Sequence, residues 1–529
     1  MSSLATRSEG SSPALAVPSG TPAGDRPSEP ANSYGQILKS SALIGGSSVF
    51  NVGVGIVRTK IIALLLGPAG FGLIGLYSSI ISFAQSIACM GIDSSGVRQI
   101  AAAVGTGDAR TIGRTAAVLR RSSVFLGLAG ALLLAAFSAT VSRVTFNSDA
   151  HTFAVGLLAL AVLFRVVSEG QKALIRGLRR IGDLVASRVA GEVLGAAASI
   201  VLVLVLRERG IVPALVAIEA VALGLSWWFS RRLRYPTPSL SVAEVRTEAG
   251  ALLRLGFAFM ASGMLMTGAA YVVRMIVVRE IGYGAAGLYQ SAWALGGFYV
   301  GFILQAMGSD FYPRLTAVID RHEQCNRLVN EQAFVSLLLA GPGVLATLTL
   351  SPLVIPLFYS AAFQPAAELL RWFCLGVTLR VVSWPMGFII NAKARQGVFM
   401  AVEFGYTVVY LALAWFCVRW FGLNGTGVAF SGSYLFHVLM IYPVVRWLTG
   451  FRWSAANKRL AVAFLTPIAV VFFAHYLLPP WLEGTLGLLA VAATGLYALR
   501  TLGRLVPLDR IPGPLRTLVA WISRATPRG

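Results

Sequence analysis

Charge is what this sequence most conspicuously lacks. Of 529 residues, 12% are Asp, Glu, Lys or Arg, against roughly 25% in an ordinary soluble domain. The deficit, beside 56% hydrophobic residues, excludes a conventional water-soluble fold. Cysteine and histidine are scarce, with four of each. Cys89, Cys325, Cys374 and Cys417 have no metal-ligand spacing, and three of them lie in apolar segments. They read as small buried hydrophobes, not a disulfide framework or a zinc site. His151, His322, His437 and His475 are equally scattered. There is no Walker A loop, HExxH, GxSxG or Cys/His cluster. The glycine-rich GTGDAR at 105–110 reads as a loop and GLNGTG at 422–427 as a turn. The expectation is a protein that is not an enzyme, with no metal and no cofactor. Without an ATPase module, energy has to come from an ion gradient, the membrane potential or the substrate's own gradient.

Lysine is rare as well: Lys39, Lys60, Lys172, Lys393 and Lys458 stand among 44 basic residues. The net charge of +22 does not imply nucleic acid, because the basic residues gather in alternate connections, as cytoplasmic loops do.

What the chain has is apolar length. Runs of about 20 residues, enough to cross a bilayer as a helix, predict fourteen spans: 41–66, 70–92, 120–141, 152–173, 186–206, 211–230, 255–279, 285–308, 331–358, 367–390, 399–419, 424–445, 460–479 and 485–503. The fold class is an all-α polytopic membrane protein. Connections after even-numbered spans carry most arginines, which puts both termini in the cytoplasm. Residues 1–35 read as a disordered tail and 506–529 as a basic tail, with PLRTLVAWISR able to lie on the membrane surface.

The chain also repeats itself. FRVVSEGQKALIRGLRRIG at 164–182 aligns without a gap on LRVVSWPMGFIINAKARQG at 379–397, a spacing of 215 residues. With small gaps, GLYSS at 75–79 matches GLYQS at 287–291, MGIDSSGVR at 90–98 resembles MGSDFYPR at 307–314, and Arg58 pairs with Arg274. Two parallel six-helix repeats follow, 36–235 and 236–450, with two further helices in 451–505. Such halves are a transporter architecture with the substrate site between them.

Charges inside the spans need reasons, since each costs roughly 2.5–3.5 kcal/mol at mid-bilayer. Arg58 lies about 13 Å from the turn at Gly67 at 1.5 Å per residue, deeper than snorkelling readily covers; Lys60 is nearer the surface. Arg165, Glu169 and Lys172 share one helix face, either as a neutral ladder or as a functional cluster. Glu192, Glu219 and Glu403 are the acids available to balance the deep cations, and Asp93 and Asp310 read as caps. The second copy keeps Arg380 for Arg165 but has Trp384 and Gly387 for Glu169 and Lys172, and Pro385 for Gly170. Deep cations outnumber anions, so an electropositive cavity between the halves is expected. Its natural guest is an anion, and guanidinium forks suit a phosphate or diphosphate. Arg58, Arg165, Arg274 and Lys60 are the candidate anion contacts; Glu169, Lys172 and Glu219 are candidates for ion coupling, flanking cations making Glu169 release a proton readily.

The stretch SSALIGGSSVFNVGVGIVRTKIIALLLGPAGFGLIGLYSSI at 40–80, followed by GVRQIAAA at 96–103, resembles the polysaccharide-transporter branch of the multidrug/oligosaccharidyl-lipid/polysaccharide (MOP) exporter superfamily, and within it the Wzx-type O-antigen translocases. The resemblance covers about residues 36–450. It implies two six-helix bundles around a cationic cavity and a flippase carrying undecaprenyl-pyrophosphate-linked oligosaccharide repeat units from the cytoplasmic to the periplasmic leaflet of the bacterial inner membrane by alternating access. It also implies Arg58 and Arg274 as the diphosphate contacts, the lipid bilayer and the polyprenyl-linked oligosaccharide as partners, and polymerase or co-polymerase machinery nearby. A multidrug exporter of the same superfamily is the alternative, but it calls for an acidic cavity. A membrane glycan polymerase or ligase calls for a large outer loop, and the outer loops here are short.

Overall fold

The computed structural model describes residues 30–232, 235–236 and 241–505, and they are helical with no strand among them. The chain runs through α1 (Pro30–Ala88), α2 (Ile92–Gly105), α3 (Ala109–Ala136), α4 (Ser138–Phe146), α5 (Thr152–Gly177), α6 (Ile181–Leu206), α7 (Ile211–Arg231) and α8 (Val242–Glu280). It continues as α9 (Tyr283–Ala306), α10 (Tyr312–Ala317), α11 (His322–Phe358), α12 (Ala366–Ala392), α13 (Gln396–Phe421), α14 (Asn424–Thr449), α15 (Ala455–Leu477) and α16 (Pro480–Leu505). Ten segments of the described residues are long and apolar enough to cross a membrane, and two of them, Gly46–Ala88 and Ile181–Arg231, are 43 and 51 residues long. Each of those two contains a turn. Gly67 has φ 63°, which glycine adopts freely, and Pro68 behind it has no N–H to continue the helix. Residues 207–210 make the second turn as one 3₁₀ stretch. The tails expected at 1–35 and 506–529 fall outside the described residues, apart from the start of α1.

Two predicted boundaries move. The span expected at 120–141 is helical already from Ala109 and breaks before Ser138, where the short α4 begins. Asp108 caps that earlier start, accepting from the backbone N–H groups of Arg110 (3.0 Å) and Thr111 (3.1 Å). The basic stretch around Arg98, read as a loop, is the 14-residue helix α2, burying Ile92 and Ile100.

Backbone geometry follows the 215-residue spacing. The described turns after α5 and α12 place Arg179 and Ala394 at φ 54° and 53°, and those after α6 and α13 place Arg207 and Gly422 at 53° and 57°. We call α1–α7 the first half of the chain and α8–α14 the second. They meet at two close crossings. At the Gly67 end, a Cβ on Gly72 would lie 2.2 Å from the Tyr283 carbonyl oxygen, and one on Gly287 1.9 Å from that of Pro68. At the opposite end, a Cβ on Gly91 would lie 2.1 Å from the Gly256 carbonyl oxygen, and one on Gly256 2.2 Å from that of Met90. Only glycine permits backbones this close.

Helices α15 and α16 dock on α11, where Leu338, Leu460 and Phe464 are buried together. A buried ion pair pins them further. Arg371 of α12, 2% exposed, meets Glu483 of α16, its Nε donates to Ser351 Oγ at 3.1 Å, and His475 Nδ1 lies 3.1 Å from the other oxygen of Glu483.

Candidate functional site between the halves

The break at Gly67 folds α1 back on itself, so its two arms can line one space. A cavity of about 210 Å³ opens there, lined by Arg58 and Thr59 from the first arm, Gly75 and Ser78 from the second, Ser199 of α6 and Gln290 of α9. Arg58 Nη1 pairs with Glu192 Oε1 of α6 at 3.3 Å, each side chain about a third exposed. From the other half, Arg274 Nε donates to Gln290 Oε1 at 2.9 Å and Nη1 to the Ala270 carbonyl at 3.0 Å, with the Tyr289 ring 5.7 Å away. These described partners of Arg274 are all neutral. Gln290 thus links the two arginines that the sequence singled out: it lines the cavity beside Arg58 and holds Arg274 from behind.

One helical face of the second arm extends this polar path. Ser78, Ser82 and Ser86 lie four residues apart, on a common side. Ser78 lines the cavity, Ser82 accepts from Arg165 Nη1 at 3.4 Å, and Ser86 meets Thr267 of the other half at 3.0 Å. Arg165 turns toward Glu219 of α7 at 3.7 Å. Glu169 instead holds Lys172 at 3.1 Å and Arg176 at 2.7 Å. The Arg165, Glu169 and Lys172 face, open in sequence to a ladder or a functional cluster, is therefore divided: Glu169 pairs with Lys172 and Arg176, and Arg165 with Glu219. Arg188 of α6 stands within electrostatic reach of Arg176 and Glu169. The cluster sets four cations, Arg165, Lys172, Arg176 and Arg188, against two carboxylates, Glu169 and Glu219.

Lys60 is not brought to the cavity. Its Nζ donates to the Leu357 carbonyl at the end of α11, 2.5 Å away, in an exposed position. Near the Gly67 crossing, His151 joins the halves: Nδ1 is 2.8 Å from the Tyr77 hydroxyl and Nε2 is 3.2 Å from that of Tyr283. Burial holds this imidazole below its ordinary pKa.

Sequence reasoning missed Gln290, Ser82 and Arg176 as participants. For Gln290 a signal existed. Aligning GLYSS with GLYQS puts it opposite Ser78, and both side chains line the cavity. The partners of Arg58 and Arg165 come from other helices, and no spacing within α1 or α5 could reveal them.

Two solved structures share this architecture. An inward-facing multidrug resistance MATE family transporter of the MOP superfamily superimposes with a TM-score of 0.66 at 15% identity, over 76% of this chain and 96% of that one. The lipid II flippase MurJ, in an inward closed conformation, gives 0.65 at 11%, over 88% and 99%. The likeness shows the fold: a multi-pass helical membrane protein built like these two. Residues 61–368 match the family described as polysaccharide biosynthesis protein, and the chain belongs to that family. The lipid III flippase of Escherichia coli (strain K12) is 21% identical over 407 residues, spanning 75% of this chain and 95% of its own length. These relatives are transporters and flippases, not enzymes.

Proposed function

We propose that this protein is a flippase for undecaprenyl-pyrophosphate-linked oligosaccharide, carrying repeat units from the cytoplasmic to the periplasmic leaflet by alternating access for O-antigen, exopolysaccharide or capsule export. In this reading the chain crosses the inner membrane fourteen times, as two parallel six-helix repeats (36–235 and 236–450) plus the α15–α16 pair, with both termini cytoplasmic. The lipid III flippase relative and the lipid II flippase neighbour support lipid-linked oligosaccharide as the substrate class. The observation that carries the reading is the Arg58–Gln290–Arg274 arrangement. Arg58 and Gln290 line one cavity, Gln290 accepts from Arg274 just outside that lining, and Arg274 has only neutral described partners. An incoming diphosphate can supply the missing counter-charge, and a guanidinium fork suits it. A surplus of positive charge argues against cationic drugs as cargo.

Glu169 and Glu219 are the proposed coupling carboxylates. Each faces cations that a diphosphate moving along the serine face competes for. As those cations are drawn away, the carboxylates become easier to protonate, which ties substrate position to proton uptake.

The test is reconstitution in liposomes with a fluorescent lipid-diphosphate oligosaccharide, following its passage between leaflets with and without a pH gradient. Arg274→Ala should cut transport at least tenfold, since a hydrogen bond to a charged group contributes about 1.5–3 kcal/mol, with normal membrane insertion. Wild-type rates in an Arg58→Ala, Arg274→Ala double variant would discard the site.

A further inference from the structure

A second cavity, of about 290 Å³, lies within the other half, among α8, α12, α13 and α14. It sits where the repeat places the charged cluster of the first half. Moving each cluster residue on by 215 gives Arg380 for Arg165, Trp384 for Glu169, Gly387 for Lys172, Asn391 for Arg176, Glu403 for Arg188 and Tyr434 for Glu219. Trp384, Gly387, Asn391, Glu403 and Tyr434 all line the cavity, with Tyr406 and His437. The replacement of charge by rings and a neutral amide is thus concentrated at one spot.

Its chemistry is that of a small polar ligand with an apolar face. Trp384 is half-buried in the cavity wall, and Arg380, outside the lining, lies 4.7 Å from its ring and 6.0 Å from that of Tyr434. Tyr406 packs against Tyr434 at 5.2 Å and against His437 at 5.4 Å. Polar groups remain to be satisfied: Arg380 Nε and His437 Nδ1 are buried without a hydrogen-bond partner, and no ion pair is formed by Glu403 among the described residues, although Arg380 is near enough to feel it. Glu403 in the lining and Arg380 just outside it offset one another, so the site and its flank together carry no net charge. A free cation or a phosphate needs a surplus of one sign; a pyranose ring does not. Its C–H face packs on an aromatic ring while its hydroxyls take up unpaired donors and acceptors. The volume is at the small end of ligand pockets, about 300–1,000 Å³, enough for one or two sugar rings.

We infer that this cavity is a glycan subsite: the second half holds sugar residues of the lipid-linked oligosaccharide while the first half holds its diphosphate. The inference rests on the flippase reading above and assigns the two ends of one substrate to the two halves.

The experiment compares two probes on the full chain in nanodiscs: the lipid-linked oligosaccharide isolated from cells lacking this protein, and bare undecaprenyl pyrophosphate. Trp384→Ala and Glu403→Gln should each weaken the glycosylated lipid roughly tenfold, as truncating a central aromatic or polar contact commonly does, and leave the bare carrier within twofold. Trp384→Phe, which keeps a ring, should restore most of the loss. Arg274→Ala should weaken both lipids alike. Unchanged affinity for the glycosylated lipid in both cavity variants, or equal loss for the two lipids, overturns the subsite and leaves the flippase reading standing. If the wild type binds neither lipid, the flippase reading fails and the subsite with it.

Discussion

On α5 and α7, Arg165 faces a carboxylate, Glu219; 215 residues on, between α12 and α14, Arg380 faces the ring of Tyr434. One turn further, Glu169 holds Lys172 and Arg176, whereas Trp384 stands open to a cavity above Gly387. The backbones agree, down to positive φ at Arg179 and Ala394. Two stretches 215 residues apart share their turns and one cation, but where the first has ion pairs the second has aromatic surface. Like scaffolds with unlike linings can grip two chemically different ends of a single molecule. That fits a cargo with a charged head and a neutral polyhydroxylated chain.

Breaking the first-half cluster should have the largest effect. Glu169→Ala strands Lys172 and Arg176, and removing one partner of a buried pair costs about 3–5 kcal/mol; with these side chains up to a third exposed, about 2–3 kcal/mol is expected. Thermal unfolding in detergent should show a drop of several degrees, and Lys172→Met in the same chain should recover part of it. Next in size, Tyr434→Glu transplants the first-half pairing into the second half. Arg380 gains a carboxylate, the cavity gains net negative charge, and affinity for the glycosylated lipid should fall about tenfold while the bare carrier binds as before; a matched binding titration of the two lipids reads this out. Glu219→Gln, which leaves Arg165 its contact with Ser82, should be milder, about 1 kcal/mol, measured again as a melting shift.

The smallest effect concerns neither lining but the seam between the halves. Burial keeps His151 neutral and its pKa low. A base with a depressed folded pKa gives stability that is present above the unfolded value, about 6.5, and is lost as pH falls through that value toward the lowered folded one. Acid should therefore loosen the Tyr77–His151–Tyr283 bridge by under about 1 kcal/mol. Spin labels at Ala150→Cys and Ile281→Cys should report a longer average separation at pH 5.5 than at pH 8, and His151→Phe should flatten the response.

Much of this molecule is legible in its amino-acid order. That the chain is helical and membrane-spanning follows from apolar length, although the described residues give ten qualifying segments where fourteen spans are expected, and Arg58 and Arg274 stand out because few charges occur inside such runs. Cross-helix partnership is not legible there. Glu192 and Glu219 lie far along the chain from the arginines they hold, and spacing on one helix says nothing about a neighbour's rotation. The α2 helix escapes notice because its apolar face covers only 14 residues that also carry Arg98. The second cavity is hidden for another reason. Trp384, Tyr406 and Tyr434 look in sequence like core residues, and only packing shows that a space remains between them.

The buried Arg371–Glu483 contact also bears on how the chain is made. Arg371 leaves the ribosome about 110 residues ahead of Glu483, a delay of roughly 5–20 s at ordinary synthesis rates. Through that interval Arg371, near the start of α12, lacks the carboxylate it is buried against in the finished fold, and a buried cation without one is unfavourable. Insertion of α16 closes the gap. Among the described helices α16 comes last, and a chain shortened before it leaves Arg371 without its carboxylate.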